Sequence, residues 1–421
     1  MGNCMQIEIA IDARKQYVEV PEANLLGILT QNEVKVDRRD EAAVEYAIEH
    51  PIGTDYLHDI VRPGEKIAII TSDLTRPIPS YQVLPAVLNE LYLAGCRDED
   101  ITIVFALGSH RKQTEAEKER LVGTEIYRKI SCVDGDIEDV VHMGTTKEGT
   151  PVDVVRVVAE ADRRICLGNI EYHYFAGYSG GAKAIMPGVS TRAAIQANHS
   201  KMVQEKAAAG NLIENPVRDD LEDAINYCPI DFIVNVVLDE HKKIIFAVAG
   251  HFIEAHRAGC RFLDGLYLKP IPARADIVIC SQGGKPKDLN LYQTQKALDN
   301  AKHAVKDGGI IILVGSCKEG MGEGVFAQWM TEAEKPEDLI ERIAKEFKLG
   351  GHKAAAIALV MQRAKIFLVS DLPDDFVRNI FMEPFSEVQE AYDAAIAEQG
   401  NNATTLVMPF GGSTLPRCMT E

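Results

Sequence analysis

No apolar run in this chain approaches the roughly 20 residues that a bilayer-spanning helix needs, so no transmembrane segment is expected. Positive charge is in short supply: 45 Lys and Arg stand against 63 Asp and Glu, a formal net charge of −18. A surface of that sign repels phosphate backbones, which excludes nucleic acid as an expected partner. Basic groups gathered in a cleft still attract a small anion, because nearby charges set the potential there. Paired cysteines are missing too. The nine Cys are scattered singly with no CxxC spacing, which excludes a zinc ribbon. An odd cysteine count without a secretory leader fits reduced thiols in a cytoplasm, and Cys166 and Cys280, inside apolar runs, read as small core hydrophobes.

What is present is ordinary globular material, 46% hydrophobic and 26% charged over 421 residues. That length is about three times the commonest domain size, so two domains are expected. Short β-branched runs recur along it: 66–71, 101–107, 164–167, 276–280, 310–314, 366–369 and 404–408. Stretches with apolar residues at helical spacing, such as 82–94 and 337–347, separate them. Near-continuous hydrophobic strands alternating with helices predict an α/β fold of two domains, each a largely parallel sheet covered by helices, with the active site in the cleft between them. The proline-bearing segment 267–275 places the boundary, giving domains 1–268 and 269–421, the C-terminal tail packing back on the first. Residues 6–20 alternate at period two and predict a hairpin; 24–34 reads as a connector.

In open α/β sheets ligands bind beyond the carboxyl ends of the strands. Here those positions are polar: Asp73-Leu74-Thr75-Arg76-Pro77 after one run, Gly108-Ser109-His110 after another, and after a third a long segment holding His173, Gly177, Gly180, Gly181 and Lys183. The glycines free the backbone for close approach to a ligand. A P-loop is excluded, since Ala182 and Ala184 flank the lysine where Gly and Ser or Thr are required. Lys183 reads either as a solvated turn residue or, if buried, as a nucleophile or covalent tether. Ser190 or Thr191 caps a predicted helix that carries His199. Each histidine alone reads as structural; three of them near one glycine loop suggest a site. Further along, Gln293 and Lys296 share a helix face, an amide and an ammonium suited to a carboxylate or phosphate, or else a solvated surface. Trp329, His352 and Lys353 are lesser candidates.

Taken in order, Asp73 to Pro77, Gly108 to His110, His173 through Lys183 to Pro187-Gly188, Asn198-His199, and Tyr292-Gln293 with Lys296 resemble the nickel-dependent lactate racemase family. The resemblance implies a 2-hydroxyacid racemase or epimerase that works by reversible hydride transfer through a 2-keto acid. It also implies a nickel pincer cofactor, pyridinium-3,5-bisthiocarboxylic acid mononucleotide, and dependence on the enzymes that build it. By motif position Lys183 is the tether, His199 the nickel ligand, and His110 and His173 the acid and base. Asp73, Gly180 and Gly181 support the cofactor, and Arg76, Tyr292, Gln293 and Lys296 meet the substrate. Two positions depart from many relatives, Tyr172 in place of proline and Ala182 in place of a basic residue. Histidine suits the proposed chemistry because its pKa near 6.5 lets it accept and donate protons around neutrality. The competing expectations are an epimerase of a longer sugar acid or hydroxy dicarboxylate, a three-histidine metal hydrolase, and a non-catalytic carboxylate-binding protein.

Overall fold

The computed structural model describes residues 3–76, 78–108, 110–239 and 241–419. Pro77 and Ser109 of the motifs above lie outside the described residues. The chain forms two units: Val34–Gly265, and the segment up to Glu33 together with everything from Leu266 onward. The inner break, between Gly265 and Leu266, lies three residues before the expected 268/269. The outer break has no counterpart in the expected division, since the first 33 residues group with the C-terminal segment and not with the 1–268 piece.

In the Val34–Gly265 unit a six-stranded sheet runs in the order Ile244–Gly250, Phe232–Leu238, Arg163–Asn169, Ile67–Ser72, Ile101–Ala106, Ser131–Asp134. Every pairing is parallel except that between Phe232–Leu238 and its edge neighbour Ile244–Gly250. Because helices cover the faces, the strands are hydrophobic throughout: Ile67, Ile69, Ile101, Ile103, Phe105 and Leu167 pack against Val44, Val83, Val87 and Leu91 from the Asp40–Glu49 and Ser80–Leu93 helices. The chain moves outward from Ile67–Ser72 in one direction, then returns to its other side as Arg163–Asn169. That reversal makes a crevice at the carboxyl ends of these two strands.

The other unit repeats the design. Its sheet, Glu383–Phe385, Ala364–Val369, Val305–Val314, Ala275–Ser281, Thr405–Met408, Leu25–Ile28, is parallel throughout. The strand order reverses beside Ala275–Ser281. Leu25–Ile28, expected as connector, is thus an edge strand hydrogen-bonded to Thr405–Met408. The predicted hairpin forms as Cys4–Ile11 and Arg14–Pro21. Its inward residues Ile7, Ile9, Ile11, Val18 and Val20 share a core with Ile277, Ile310 and Ile312, which is why the N-terminus belongs here. Among the described residues no helix is long and apolar enough to cross a membrane.

Ile9 is 0% exposed in this core, so Ile9→Ala leaves a cavity and is expected to cost about 3 kcal/mol. Urea unfolding of the full chain checks this, and a loss under about 1 kcal/mol would mean the hairpin is only loosely docked.

Candidate active site

Asp73 follows strand Ile67–Ser72 directly, and its buried carboxylate accepts from His110 Nδ1 at 2.6 Å. The Thr75 hydroxyl at 2.6 Å and the Thr75 amide at 3.1 Å bind its other oxygen. Burial alone would raise the Asp73 pKa, but these hydrogen bonds from His110 and Thr75 outweigh it and hold the carboxyl below its ordinary value. An ionised carboxylate only accepts, so His110 carries a proton on Nδ1, which in the neutral ring leaves the lone pair on Nε2.

His173 stands on a two-residue strand, Tyr172–His173, paired to Gly177–Tyr178. Its Nδ1 accepts from the Ala176 amide at 3.3 Å, which assigns its ring proton to Nε2. The turn between is tight: Gly177 has φ 76°, and a Cβ there would lie 2.2 Å from the Asn211 carbonyl oxygen. Gly180 (φ 75°) is similarly enclosed, with Asn235 Oδ1 2.7 Å from where a Cβ would sit. Asn235 Oδ1 accepts from the Gly181 amide at 2.8 Å, fixing the start of the short Gly181–Ala184 turn that carries Lys183.

Three expected site groups converge on one ring. Phe175 has the His173 ring edge-on at 4.5 Å, the His199 ring at 4.9 Å, and the Lys183 ammonium 5.9 Å from its centroid. Among the described residues Lys183 has no hydrogen-bonded or ion-paired carboxylate. Burial first, then the charges of Arg76 and Arg218, drive its pKa well below the ordinary lysine value. His173 is likewise pushed well below its ordinary value by burial and then by Lys183 and Arg76. Arg76 is exposed, three residues beyond Asp73, and its charge acts on both His173 and Lys183.

His199 ends the Arg192–His199 helix, whose cap is Thr191, accepting from the Ala194 amide at 3.3 Å. Its Nδ1 lies 2.9 Å from Asn198 Oδ1. The Asn198 amide nitrogen donates to the Val217 carbonyl at 3.1 Å and to Asp220 at 2.8 Å, so its oxygen must face the imidazole. Nδ1 of His199 therefore carries a proton, which in the neutral ring leaves the lone pair on Nε2, the state a metal ligand requires. No group of three His, Cys, Asp or Glu among the described residues is placed to hold a metal ion, so the three-histidine hydrolase site does not form. A single imidazole ligand and a lysine whose pKa is lowered nevertheless fit a metal that arrives within a covalently tethered organic group.

Sequence reading missed the residues that hold this arrangement. Arg218, fully buried, donates from Nε to the Ala176 carbonyl at 3.1 Å and from a second nitrogen to the Tyr178 carbonyl. Asn215 donates to the Phe175 carbonyl at 2.9 Å and caps the Pro216–Asp223 helix. Buried Asp220, on that helix, accepts from Thr146, Thr150, Asn198 and Lys201. His256 donates from Nε2 to the Ser179 carbonyl at 2.8 Å. Only Asn215-Pro216, a cap followed by proline, was a readable helix start. Tyr172, at a position of departure, donates its hydroxyl to Asp264 at 2.8 Å, as Tyr178 does at 2.7 Å.

Tyr292, Gln293 and Lys296 lie in the other unit on the Leu291–Ala301 helix, capped by Asn290 at the strand reversal. Tyr292 and Gln293 are half-buried and Lys296 is exposed.

Residues 11–210 match the model of the lactate racemase N-terminal domain and residues 271–415 that of the lactate racemase C-terminal domain. The chain belongs to the lactate racemase family. A lactate racemase of Thermoanaerobacterium thermosaccharolyticum is 34% identical over 98% of this chain and 99% of its own length. One from Lactiplantibacillus plantarum is also 34% identical, over 96% and 98%. The structure of the lactate racemase apoprotein from T. thermosaccharolyticum superposes with a TM-score of 0.85 at 33% identity, covering 98% of this chain and 100% of that one. A Thermotoga maritima protein, 16% identical with a TM-score of 0.58, shares the fold.

His256 and His173 stay neutral in the fold, while the unfolded chain takes up protons on both near pH 6.5. Their contribution to stability is therefore full above pH 6.5 and lost as the pH falls below it. His256→Gln keeps the hydrogen bond to Ser179 without the titration and is expected to flatten the fall in stability between pH 6.5 and 5. The difference from wild type is about 1 kcal/mol per pH unit, read by urea unfolding. Parallel pH profiles would refute it.

Proposed function

We propose that the protein racemises a lactate-like 2-hydroxy acid at C2 by reversible hydride transfer, using a nickel pincer nucleotide. The observation that carries this reading is the convergence of Lys183, His199 and His173 on Phe175, beside an Asp73–His110 pair at the neighbouring strand end. When bound, the cofactor supplies an electrophilic ring that accepts and returns hydride. Lys183 holds it, and His199 offers Nε2 to the nickel with Asn198 fixing the tautomer.

The rest falls to protein groups. The α-hydrogen of a hydroxy acid is a poor proton because the adjacent carboxylate is already anionic, so removing it as hydride avoids a carbanion. His110 Nε2 takes the hydroxyl proton, and the Asp73 carboxylate stabilises the imidazolium that results. Loss of hydride leaves a planar 2-keto acid whose other face then accepts hydride. His173, on a different strand end, supplies the proton exchange for the opposite enantiomer. Arg76 pairs with the substrate carboxylate, a role its planar fork suits. The family resemblance assigns Tyr292, Gln293 and Lys296 to substrate binding as well.

Protein from a host with the cofactor-building enzymes is to be mixed with one enantiomer each of lactate, malate, 2-hydroxybutyrate and gluconate, and optical rotation followed. Decay of rotation for lactate or a near homologue is expected; persistence for all four overturns the reading. Lys183→Ala is expected to lose both activity and the cofactor's mass adduct, and full activity would remove the tether. His110→Asn is expected to lower kcat by about 10²–10⁴-fold, and a loss under tenfold would deny it the role of base.

A further inference from the structure

Lys353 lies on the Gly351–Met361 helix among Ala354, Ala355, Ala356 and Ile357, all buried, and is itself only 6% exposed. Its ammonium donates to the Tyr292 carbonyl at 2.6 Å and sits 4.0 Å from the centroid of the Tyr292 ring. The edge of Phe326 backs that ring, with the centroids 5.5 Å apart. An ammonium has three protons to donate, and among the described residues Lys353 places one. No carboxylate among them pairs with it; Asp299, the acidic group with influence there, is held by Lys302 at 2.7 Å. Lys296, one turn beyond Tyr292, adds a second positive charge. The side-chain amide of Gln293 makes no hydrogen bond among the described residues.

A buried, unpaired ammonium costs stability, and methionine would fill the same space in this apolar helix without that cost. The cost is reasonable if an anion completes the site. We propose that Lys353 is a substrate-binding residue: with Lys296 and Gln293 it forms a carboxylate-binding subsite around Tyr292. The inference deepens the 2-hydroxyacid reading and rests on it. Burial and then Lys296 bring the Lys353 pKa down to about 7, and a bound carboxylate beside it favours the charged form again.

The test uses cofactor-loaded wild type, Lys353→Met and Lys353→Arg, with pyruvate binding by calorimetry, KM and kcat for the hydroxy acid, and thermal midpoints. In Lys353→Met the pyruvate Kd is expected to weaken by about tenfold or more, KM to rise more than kcat falls, and Tm to hold or rise; Lys353→Arg recovers part of the affinity. Unchanged Kd and KM in Lys353→Met overturn the proposal. So does a fall in Tm that Arg does not repair, which would mark a structural residue. If pyruvate binding depends on Lys353 while wild type racemises no hydroxy acid, the subsite stands and the racemase reading falls.

Discussion

The grip of one buried guanidinium on two backbone carbonyls underlies the whole candidate site. The 172–178 segment leaves its strand, turns at Gly177 and brings aromatic rings and His173 over the sheet end. Such a turn has no ladder of its own beyond two residue pairs, and its buried carbonyls need donors. Arg218 satisfies those of Ala176 and Tyr178, and Asn215 that of Phe175. The same Pro216–Asp223 helix carries Asp220, which holds Asn198 and through it the orientation of His199. Two parts of the site distant in sequence are thus fixed to one helix, and Phe175 lies where they meet.

That guanidinium also has an electrostatic consequence. Among the described residues one of its nitrogens, Nη1, has no hydrogen-bond partner, and the Glu222 carboxylate lies 3.6 Å off. The positive charge is incompletely neutralised and acts on Lys183, His173 and His256, lowering the pKa of each in concert with their burial. A protein of net charge −18 so maintains a cationic pocket that disfavours the charged forms of an amine and an imidazole. Fold and reactivity depend on the same side chain.

Strand positions and both strand-end clusters were legible in the sequence because parallel strands buried on both faces read as continuous apolar runs, and their polar sequels stand out. Leu25–Ile28 was not legible: four residues with no alternation pair with Thr405–Met408, almost the whole chain away. The same long-range pairing, together with the hairpin's contribution to the second core, defeated the expectation that the first 33 residues fold with the first domain. Arg218 sits among acidic residues at 219, 220, 222 and 223, a pattern that reads as a solvated helix face. Its burial follows from the shape of a loop 40 residues earlier, which no local window reports. Lys353 registered only weakly for a similar reason, since one lysine in an alanine-rich helix says nothing of the ring above it.

The two candidate proton carriers are held in opposite ways. His110 donates a hydrogen bond from Nδ1 to a carboxylate, which in the neutral ring leaves a lone pair at Nε2; His173 accepts a backbone N–H at Nδ1 and presents a proton at Nε2. A reaction that inverts a carbinol centre needs a base on one side and a proton source on the other, then the reverse. A resting state with one of each is poised for the first half without prior rearrangement. The 3.3 Å bond from Ala176 is long beside the 2.6 Å bond to Asp73, so His173 is the ring whose tautomer changes at smaller cost. The asymmetry therefore places the rigid member of the pair at Asp73 and the adaptable one on the hairpin that Arg218 holds.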